Sequence, residues 1–498
     1  MNKLNAALLP TLSLPHTPRV PRPERVLQFG EGGFLRAFVL PMLDAANAAG
    51  ALDTSVVVVQ PIPQGLTAAL DAQDGLYTLL LRGKADGQVV REARVVTAIS
   101  RTINPYADYA ALLACARSPV LRFVVSNTTE AGIAYTGQDA YDDAPPASFP
   151  GKVTRLLHER FLHFAQAPDK GLVLLPCELI DANGDALRDC VLRTAAQWGL
   201  GQAFADWLTT ACVFANTLVD RIVTGYPRGE AEALWAEWGY QDDMADVGEP
   251  FGLWVIEGPE SLADELPLSR AGQPVLFTRD VTPYKLRKVR MLNGAHTATV
   301  LAAYLAGFDT VGECMADPDT RAFLLHALRA EIMPTLALPQ DELEAFAASI
   351  LERFENPFNR HELLSIALNS VSKWRARILP TLRDHLRAHG TPPPLLTFSL
   401  AALLAFYRCQ PTADGYRGMR GDTPYPIADD APVLAFFAAH GADSAEALTD
   451  AALRQTAFWG EDLTALPGLT AAVTHGLEAI RTRGAAAAMR AALAAAAQ

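Results

Sequence analysis

The sequence lacks the segments that would anchor a protein in a membrane or direct it across one. It has no uncharged run of roughly 18 or more apolar residues, the length that a membrane-spanning helix needs. Residues 1–23 lack the basic region and long apolar core of a signal peptide, and we interpret them as a loose N-terminal arm. The six cysteines include no Cys-x-x-Cys pair, which favours reduced core thiols. We therefore expect a cytoplasmic protein that binds no membrane.

Basic residues are too few for a nucleic-acid-binding protein. The 42 lysines and arginines are outnumbered by 55 aspartates and glutamates, which gives a formal net charge of -13. Phosphate backbones are bound by clustered cations, so we expect no nucleic-acid partner. A small anionic substrate is not excluded, because it needs only a few local cations.

Motifs for metal or serine chemistry are also absent. The chain contains no His-Glu-x-x-His segment and no Gly-x-Ser-x-Gly. His385 and His389 are four residues apart, but they lie on a charged helix end with no acidic third ligand of obvious geometry. We therefore expect neither a zinc site nor a serine nucleophile.

The sequence does contain an α/β pattern followed by a helical one. A chain of 498 residues predicts two domains. Apolar β-branched runs alternate with helical stretches up to residue 281, which predicts a doubly wound α/β sheet. From residue 282, Ala- and Leu-rich segments predict a mostly α-helical domain that ends in an alanine helix over 484–498. The predicted strands are Arg25–Phe29, Ser55–Gln60, Leu121–Ser126, Gly171–Pro176 and Phe251–Ile256.

A glycine-rich turn follows the first predicted strand and precedes a helical run. Gly30, Gly32 and Gly33 lie in this turn, whereas the third glycine of the usual dinucleotide fingerprint is replaced by Leu35. Such a turn lets a pyrophosphate approach the backbone, and the following helix N-terminus supplies N–H donors. A tight strand-to-helix turn without a ligand is the alternative. The position at the first strand–helix junction favours a nucleotide site.

The end of the second predicted strand bears on which dinucleotide binds. NAD sites usually carry an acidic residue there for the ribose hydroxyls, but this chain has Gln60 followed by Pro61. No lysine or arginine lies nearby to receive a 2′-phosphate, since Arg82 is the next cation. The absence of a cation favours NAD over NADP.

A second motif combines a base, an amide and an imidazole. Thr282 as N-cap and Gly307 past the end frame a helix that carries Lys288, Asn293 and His296. At about 100° per residue, these three side chains fall within an arc of about 140°. A partly buried lysine can accept the proton of an alcohol, an asparagine can donate to the oxyanion, and a histidine can bind a neighbouring hydroxyl.

The same segment has a simpler interpretation. A basic first turn in solvent and a satisfied core histidine would give the same pattern. Lys285, Arg287 and Arg290 fit that interpretation. Spacing alone does not exclude it for Lys288.

These motifs resemble those of the polyol-specific long-chain dehydrogenases, the mannitol dehydrogenase family. Gly30-x-Gly32-x-Phe34-x-x-Ala37 is similar to the cofactor turn of that family. Lys288, Asn293 and His296 are similar to its Lys-x-x-x-x-Asn-x-x-His motif, and the segment from Asn216 to Ile222 resembles a third motif. The motifs occur in the order of the family, and the resemblance covers nearly the whole chain.

The resemblance implies an NAD-dependent, zinc-independent oxidoreductase that acts on CH–OH groups. It implies a Rossmann-type NAD-binding domain over 24–281 and a helical substrate and catalytic domain over 282–498. Lys288 would be the general base in oxidation and the general acid in reduction, Asn293 would polarise the carbonyl, and His296 would position the substrate. The implied cofactor contacts are Phe29, Gly30, Gly32, Gly33, Phe34, Asn127, Thr128, Val219 and Asp220.

Two departures from the family pattern argue against mannitol as the substrate. The family has a second oxyanion asparagine where this chain has Leu179, so Asn183 or a water would have to substitute, or the site has one donor. An arginine eight residues before a substrate-contacting lysine is replaced by Ser365, whereas the lysine is kept as Lys373.

Within the family, several segments look closest to reductases of hexuronate-derived keto acids, which implies a small-molecule sugar acid as substrate and a role in hexuronate breakdown. Such a substrate carries a carboxylate, and Arg377, close to Lys373, can form a bidentate pair with it. A basic helix face in solvent is the alternative for Arg375 and Arg377. The segments are Ser126–Gly132, Cys177–Gly184, Val223–Arg228 and Leu363–Asn369.

Other interpretations stay open. The same motifs would serve another sugar-acid reductase or a mannitol-type polyol dehydrogenase of the family. A catalytically silent NAD-binding regulator would need the glycine turn but not the lysine base. For Asp220, a structural cap or an ion pair with Arg221 competes with a cofactor contact. The oligomeric state is open, and a monomer is compatible with the sequence.

Overall fold

The computed structural model describes residues 1–497 and divides the chain into two units, Met1–Val281 and Thr282–Gln498. Gln498, the last residue of the predicted C-terminal helix, lies outside the described residues. The division falls where the strand-like runs of the sequence end. The assignment of NAD to the first unit and of the substrate to the second stays a prediction.

Strands and helices alternate in the first unit. Its strands are β1 (Glu24–Phe29), β2 (Ser55–Val59), β3 (Tyr77–Ala85), β4 (Gln88–Val96), β5 (Ile99–Ile103), β6 (Phe123–Ser126), β7 (Val173–Pro176), β8 (Val213–Phe214), β9 (Thr217–Asp220), β10 (Val223–Gly225), β11 (Asp246–Gly248), β12 (Leu253–Glu257) and β13 (Val275–Thr278). Its helices are α1 (Gly33–Ala37), α2 (Val39–Ala48), α3 (Thr67–Asp71), α4 (Tyr109–Ala116), α5 (Phe149–His163), α6 (Asn183–Gln197), α7 (Gln202–Thr210), α8 (Ala231–Trp238) and α9 (Leu262–Glu265), with 3-10 turns at Ala6–Thr11, Pro168–Lys170 and Ser269–Ala271.

The largest sheet is parallel and six-stranded, in the order β5-β2-β1-β6-β7-β8, which is the doubly wound Rossmann arrangement. Val56 and Val58 of β2 enter the apolar core on one face, and Val57 and Val59 enter the core on the other. An unbroken apolar run is therefore fully buried, and each such side chain contributes about 1.5–3 kcal/mol. The predicted α/β fold class is confirmed.

Two smaller sheets complete the first unit. A four-stranded sheet has the order β10-β11-β3-β4, and a three-stranded sheet has the order β13-β12-β9. Asp86 and Gly87 form the two-residue turn of the β3–β4 hairpin, and both have positive φ, as a tight hairpin turn of this kind requires.

The N-terminal arm is packed against the first unit and is not loose as predicted. Leu4 is wholly buried and Leu9 nearly so, and both join an apolar cluster with Trp238 and Tyr240. Lys3 adds a bridge to the backbone of Gln241. Leu4 and Leu9 therefore anchor the arm to the core of the unit.

The second unit is mostly helical, as predicted. Its helices are α10 (Thr282–Arg287), α11 (Gly294–Ala306), α12 (Val311–Ala316), α13 (Pro318–His326), α14 (Gln340–Phe354), α15 (Leu363–Ile366), α16 (Ser370–Arg377), α17 (Leu379–His389), α18 (Pro394–Phe406), α19 (Ala431–His440), α20 (Ala445–Leu453), α21 (Thr456–Trp459), α22 (Leu469–Arg483) and α23 (Ala485–Ala496), with π-helical turns at Lys288–Asn293 and Ala327–Ile332 and 3-10 turns at Met333–Thr335 and Leu463–Ala465. Three antiparallel strands form a small additional sheet, namely β14 (Gln410–Thr412), β15 (Gly415–Arg420) and β16 (Thr423–Ile427).

The alanine-rich helix α23 is anchored by a few small side chains and one methionine. Ala485, Ala488 and Met489 are buried, and the helix packs against α18 and α22. Within residues 1–497, no helix combines the length and apolar character that crossing a membrane would require.

Candidate active site

The first glycine of the glycine-rich turn is required by the protein itself. Gly30 has φ of 118°, and a Cβ there would lie 3.0 Å from the backbone oxygen of Asn127. The Gly30 N–H donates to the Val59 carbonyl at 3.0 Å, which ties the turn to the end of β2. Any side chain at this position would strain the backbone and collide with the neighbouring loop.

The next two glycines differ in what faces them. A Cβ on Gly33 would lie 3.1 Å from a carboxylate oxygen of Asp246, whereas nothing lies within 4 Å of a Cβ on Gly32. Gly32 is exposed and is the N-cap of α1. The open side of the turn is therefore at Gly32, and a pyrophosphate fits there because no side chain blocks its approach to the backbone.

The two phenylalanines predicted to contact the cofactor, Phe29 and Phe34, both pack against other phenylalanine rings. Phe29 is wholly buried, and its ring packs edge-on against Phe149 with centroids 5.3 Å apart. Its side chain therefore belongs to the core, and a cofactor contact of Phe29 stays a prediction. Phe34 stacks on Phe38 at 5.0 Å and remains partly exposed.

A buried ion pair beneath the turn was not predicted from the sequence. The Arg36 guanidinium donates to the Glu31 carbonyl at 2.7 Å and lies 3.4 Å from the Asp246 carboxylate. Tyr77 donates its hydroxyl to the Arg36 carbonyl at 2.6 Å. Burial raises the pKa of Asp246 to about 7, and Arg36 opposes this rise. The glycine turn is thus held by side chains of a second sheet.

The side chain at the end of β2 is used by its own loop. The Gln60 amide nitrogen donates to the carbonyls of Ile62 and Pro63, both at 2.9 Å. Its amide oxygen accepts from the Thr67 hydroxyl at 2.7 Å. Gln60 therefore shapes the loop after β2, and its amide is already engaged where an acidic residue would bind ribose hydroxyls in other NAD sites.

The loop after β6 carries two predicted cofactor contacts, Asn127 and Thr128, and is fixed by one buried carboxylate. Glu178 accepts hydrogen bonds from the Ser126 hydroxyl at 3.0 Å and from the N–H and hydroxyl of Thr128, both at 2.9 Å. Asn127 donates its amide to the Cys177 carbonyl at 2.8 Å. Burial raises the pKa of Glu178, although these hydrogen bonds oppose the rise. These hydrogen bonds therefore hold the loop in position.

Asn183 does not replace the missing oxyanion donor. Its side chain is buried, and its amide nitrogen donates to the carbonyls of Pro176 and Glu178 at 2.9 and 3.1 Å. Its oxygen accepts from the N–H of Thr217 at 2.8 Å. The suggestion that Asn183 substitutes for an asparagine at Leu179 is therefore wrong, because its hydrogen bonds hold the start of α6. Leu179 itself is 63% exposed.

Val219 and Asp220 lie at the end of β9 and are both buried. They pair in register with Trp254 and Leu253 of β12. The neighbouring Arg221 donates to three backbone carbonyls, which gives its guanidinium a structural role. The contact of Val219 and Asp220 with a nicotinamide ring stays a prediction.

The predicted catalytic helix is interrupted by a π-helical turn over Lys288–Asn293, between α10 and α11. The N–H of Gly294 reaches the carbonyl of Val289, five residues earlier. In an α-helix, Lys288 and Asn293 would lie about 140° apart around the axis. A π-turn repeats after about five residues, so it brings these two positions to one face; such turns are frequent at functional sites.

His296 lies in a stack of aromatic rings. Its imidazole is parallel to the Phe354 ring, with centroids 3.9 Å apart, and edge-on to His361 at 5.4 Å. Burial, and then the neighbouring His361, lower the pKa of His296 well below its usual value. The imidazole is therefore neutral, and its buried Nε2 has no hydrogen-bond partner within residues 1–497. An imidazole nitrogen without a partner in the protein is what His296 needs if it binds a substrate hydroxyl, as predicted.

The basic residues around Lys288 are not a solvated face. Arg287 is buried, with its guanidinium 4.4 Å from the Phe346 ring centroid. Arg290 donates to Asp384 at 2.6 Å and is partly buried. The interpretation of these two arginines as a basic turn in solvent is therefore wrong. Lys288 is also partly buried.

Helix α16 carries the two predicted substrate residues. Lys373 donates to the Ile366 carbonyl at 2.9 Å, and burial, followed by the charge of Arg377, lowers its pKa. Arg377 is half-buried and donates to the Thr297 hydroxyl at 3.3 Å. Thr297 lies one helical turn after Asn293. Arg375 is exposed and lies beside Gly460 instead. Of the two arginines, Arg377 is the one bonded to the helix that is predicted to be catalytic.

His361 and Phe354 were not predicted from the sequence, because a single histidine or phenylalanine outside a motif gives no signal.

The His385 and His389 rings are adjacent, with centroids 4.3 Å apart. Among the described residues, no group of three or more His, Cys, Asp or Glu side chains is arranged to hold a metal ion.

Family models match almost the whole chain. The mannitol dehydrogenase Rossmann domain matches residues 24–270, and the mannitol dehydrogenase C-terminal domain matches residues 280–481. Two altronate oxidoreductases are similar over nearly their full length. That of Pectobacterium carotovorum subsp. carotovorum (strain PC1) is 51% identical over 95% of this chain and 98% of its own. That of Klebsiella pneumoniae (strain 342) is 50% identical with the same coverage.

Two solved structures have the same fold over their whole length. A substrate-free D-sorbitol dehydrogenase matches with a TM-score of 0.82 at 24% identity, covering 98% of this chain and 100% of its own. Pseudomonas fluorescens mannitol 2-dehydrogenase, in a ternary complex with NAD and D-mannitol, matches with a TM-score of 0.69 at 26% identity, covering 98% and 99%.

Proposed function

The chain belongs to the mannitol dehydrogenase family, and on that premise we propose that it is an NAD-dependent altronate oxidoreductase. The reaction is the reversible oxidation of altronate to tagaturonate in hexuronate breakdown. The observation that carries the proposal is the identity of about half of all residues with altronate oxidoreductases over 95% of the chain. Fructuronate reductase and mannitol 2-dehydrogenase are the alternatives within the family.

The fit of NAD rests on the glycine turn and the loop after β6. The open side of Gly32 accepts a pyrophosphate, and the Glu178 carboxylate keeps the Asn127–Thr128 loop in place. NAD is favoured over NADP because Gln60 is followed by no nearby cation. The mannitol 2-dehydrogenase relative was solved with NAD bound.

NAD, when bound, accepts the hydride that leaves the alcohol carbon. In oxidation, the Lys288 amine takes the hydroxyl proton, and in reduction the Lys288 ammonium returns it to the new alkoxide oxygen. Asn293, on the same face of the π-turn, donates to that oxygen while its negative charge develops. The neutral His296 imidazole binds a neighbouring hydroxyl and fixes the sugar.

The substrate carboxylate is bound by helix α16. Thr297 holds one nitrogen of the Arg377 guanidinium, which orients the planar fork toward a carboxylate. Lys373 adds a second positive charge on the same helix face, four residues earlier. Mannitol has no carboxylate to offset these charges, so the sugar acid is favoured.

The proposed activity is tested by following NADH oxidation with tagaturonate, fructuronate and fructose. We expect turnover to be highest with tagaturonate, and Lys288→Ala to lower kcat by roughly a hundredfold or more. Lys285→Ala, on the preceding turn, is the matched control and should leave kcat unchanged. Preference for fructose would identify a polyol dehydrogenase, and NADH binding without turnover on any of these compounds would identify a silent binding protein.

The state of the thiols supports a cytoplasmic location, which we also propose. All six cysteines are buried and unpaired, as is usual for a protein of a reducing compartment. We therefore place the enzyme in the cytoplasm, and the number of chains in the active enzyme stays open.

A further inference from the structure

The loop before α15 is fixed close to the catalytic helix. The His361 carbonyl accepts from the N–H of Val311 at 3.0 Å, and the Leu363 N–H donates to Asp309 at 2.8 Å. Thr310 and Glu362 form an antiparallel bridge between these two bonds. The backbone of residues 361–363 is therefore held against residues 309–311.

The His361 ring closes one side of the His296 stack. It is edge-on to His296, with an interplanar angle of 86°, whereas Phe354 covers the face of His296. Burial lowers the pKa of both imidazoles, so both are neutral near pH 7. A neutral imidazole has one N–H donor and one acceptor, and each can bind a polar ligand without carrying charge.

One buried polar atom beside the His361 ring lacks a partner within the described residues. The buried Nε2 of His296 has no hydrogen-bond partner within residues 1–497. Buried polar atoms without partners are rare in folded proteins and call for a ligand or water. Arg377 lies close to His296, because its guanidinium donates at 3.3 Å to the hydroxyl of Thr297, the next residue along the helix.

We propose that His361 is a substrate-binding residue that donates a hydrogen bond to the carboxylate of a sugar acid beside Arg377, and so selects sugar acids over neutral polyols. The proposal rests on the proposed function for the identity of the acid. A carboxylate has several acceptor positions, so it can pair with the Arg377 fork and with one imidazole N–H together. A hydroxymethyl group at the same place would leave the positive charge of Arg377 without an anion.

The test uses the complex of the enzyme with NADH, because altronate binds there without reacting when both ligands are reduced. Calorimetric titration gives the Kd of altronate and of mannitol for the wild type, His361→Phe and His361→Gln. His361→Phe keeps an aromatic ring beside His296 but has no donor, whereas His361→Gln keeps a donor. Phe354→Leu is the matched packing control, since it disturbs the His296 stack and leaves His361 in place.

We expect His361→Phe to raise the Kd of altronate at least tenfold, as the loss of one hydrogen bond to a charged group implies. The Kd of mannitol and the Kd of NADH should not change, and His361→Gln should recover most of the altronate affinity. Phe354→Leu should lower kcat with a smaller effect on altronate binding. The proposal is overturned if His361→Phe binds altronate like the wild type, if both ligands weaken equally, or if the wild type binds no altronate. A wild type that binds altronate in this way but does not reduce tagaturonate would refute the proposed function alone.

Discussion

In the glycine turn, the addition of one methyl group can test cofactor binding without disturbing the fold. Gly32 has φ of -66° and ψ of 167°, which any residue adopts, and a Cβ there meets nothing within 4 Å. Gly32→Ala therefore adds a methyl group only to the open side of the turn. If the NAD pyrophosphate approaches the backbone at this point, the methyl group occupies the space that it needs.

The two effects of Gly32→Ala have different magnitudes. Reduced freedom of the unfolded chain stabilises such a variant by about 0.4–1 kcal/mol, and the poorer N-cap offsets part of this gain. The free energy of unfolding should thus stay within roughly 1 kcal/mol of the wild type. The Kd of NADH should rise at least tenfold, which corresponds to about 1.4 kcal/mol of lost binding free energy.

Gly30→Ala is the matched control because the same methyl group meets the protein there. Its φ of 118° and the 3.0 Å approach to the Asn127 oxygen make the substitution strained. Asn127 cannot move away easily, since its amide is bonded to the Cys177 carbonyl. We expect a loss of about 1–3 kcal/mol in unfolding free energy from the backbone alone.

The two variants are compared by NADH fluorescence titration and by thermal unfolding without ligand. Gly32→Ala should lose NADH affinity at an unchanged melting temperature, and Gly30→Ala should melt at a lower temperature. Wild-type NADH affinity in Gly32→Ala would refute the reasoning, because the open side of the turn would then face no cofactor.

Two further predictions follow from buried charges in the second unit. Glu331 accepts hydrogen bonds from the N–H groups of Leu395 and Leu396, and burial raises its pKa from 4.5 to about 7. The folded state therefore holds the Glu331 proton more tightly, and up to about 3 kcal/mol of stability is lost as the pH rises from about 4.5 to 7. In thermal unfolding, Glu331→Gln should be less stable than the wild type at pH 5, and this difference in stability should disappear by pH 8. A difference in stability that does not vary with pH would contradict the prediction. Arg377→Lys removes the planar fork and should raise the KM for altronate about tenfold, whereas Arg375→Lys should leave the KM unchanged, and equal effects would contradict the role of Arg377.

The sequence predicts the central sheet well because burial on both faces leaves a strong trace. Four of its strands, β1, β2, β6 and β7, are apolar runs that coincide with the predicted ones to within two residues. The β3–β4 hairpin was not predicted, although Asp86 and Gly87 are a known turn signal, because β4 is an exposed strand with several charged residues. The packing of the arm was not predicted because Trp238 and Tyr240, which share an apolar cluster with Leu4, lie more than two hundred residues further along the chain.

The candidate site could be predicted only where a motif carries it. The glycine turn and the Lys–Asn–His spacing gave the positions, but they did not show that Gly33 faces Asp246 or that Gln60 is bonded to its own loop. The oxyanion role suggested for Asn183 failed because chain proximity to Leu179 says nothing about which carbonyls its amide meets. Partners of a polar side chain depend on the folded backbone.

The π-turn shows that α-helical spacing is the wrong geometry for the Lys288–Asn293 pair. With α-helical spacing, Lys288 and Asn293 lie at opposite ends of a wide arc, and one of them would have to reach around the helix to a shared oxygen. The π-turn over Lys288–Asn293 adds about one residue to a turn, which brings these two backbone positions closer to one face of the helix. The carbonyl of Asn293 still accepts from the Thr297 hydroxyl at 2.9 Å, and that hydroxyl in turn accepts from Arg377. The backbone of Asn293, the proposed oxyanion donor, is thus connected through one hydroxyl to Arg377, the cation proposed for the substrate carboxylate.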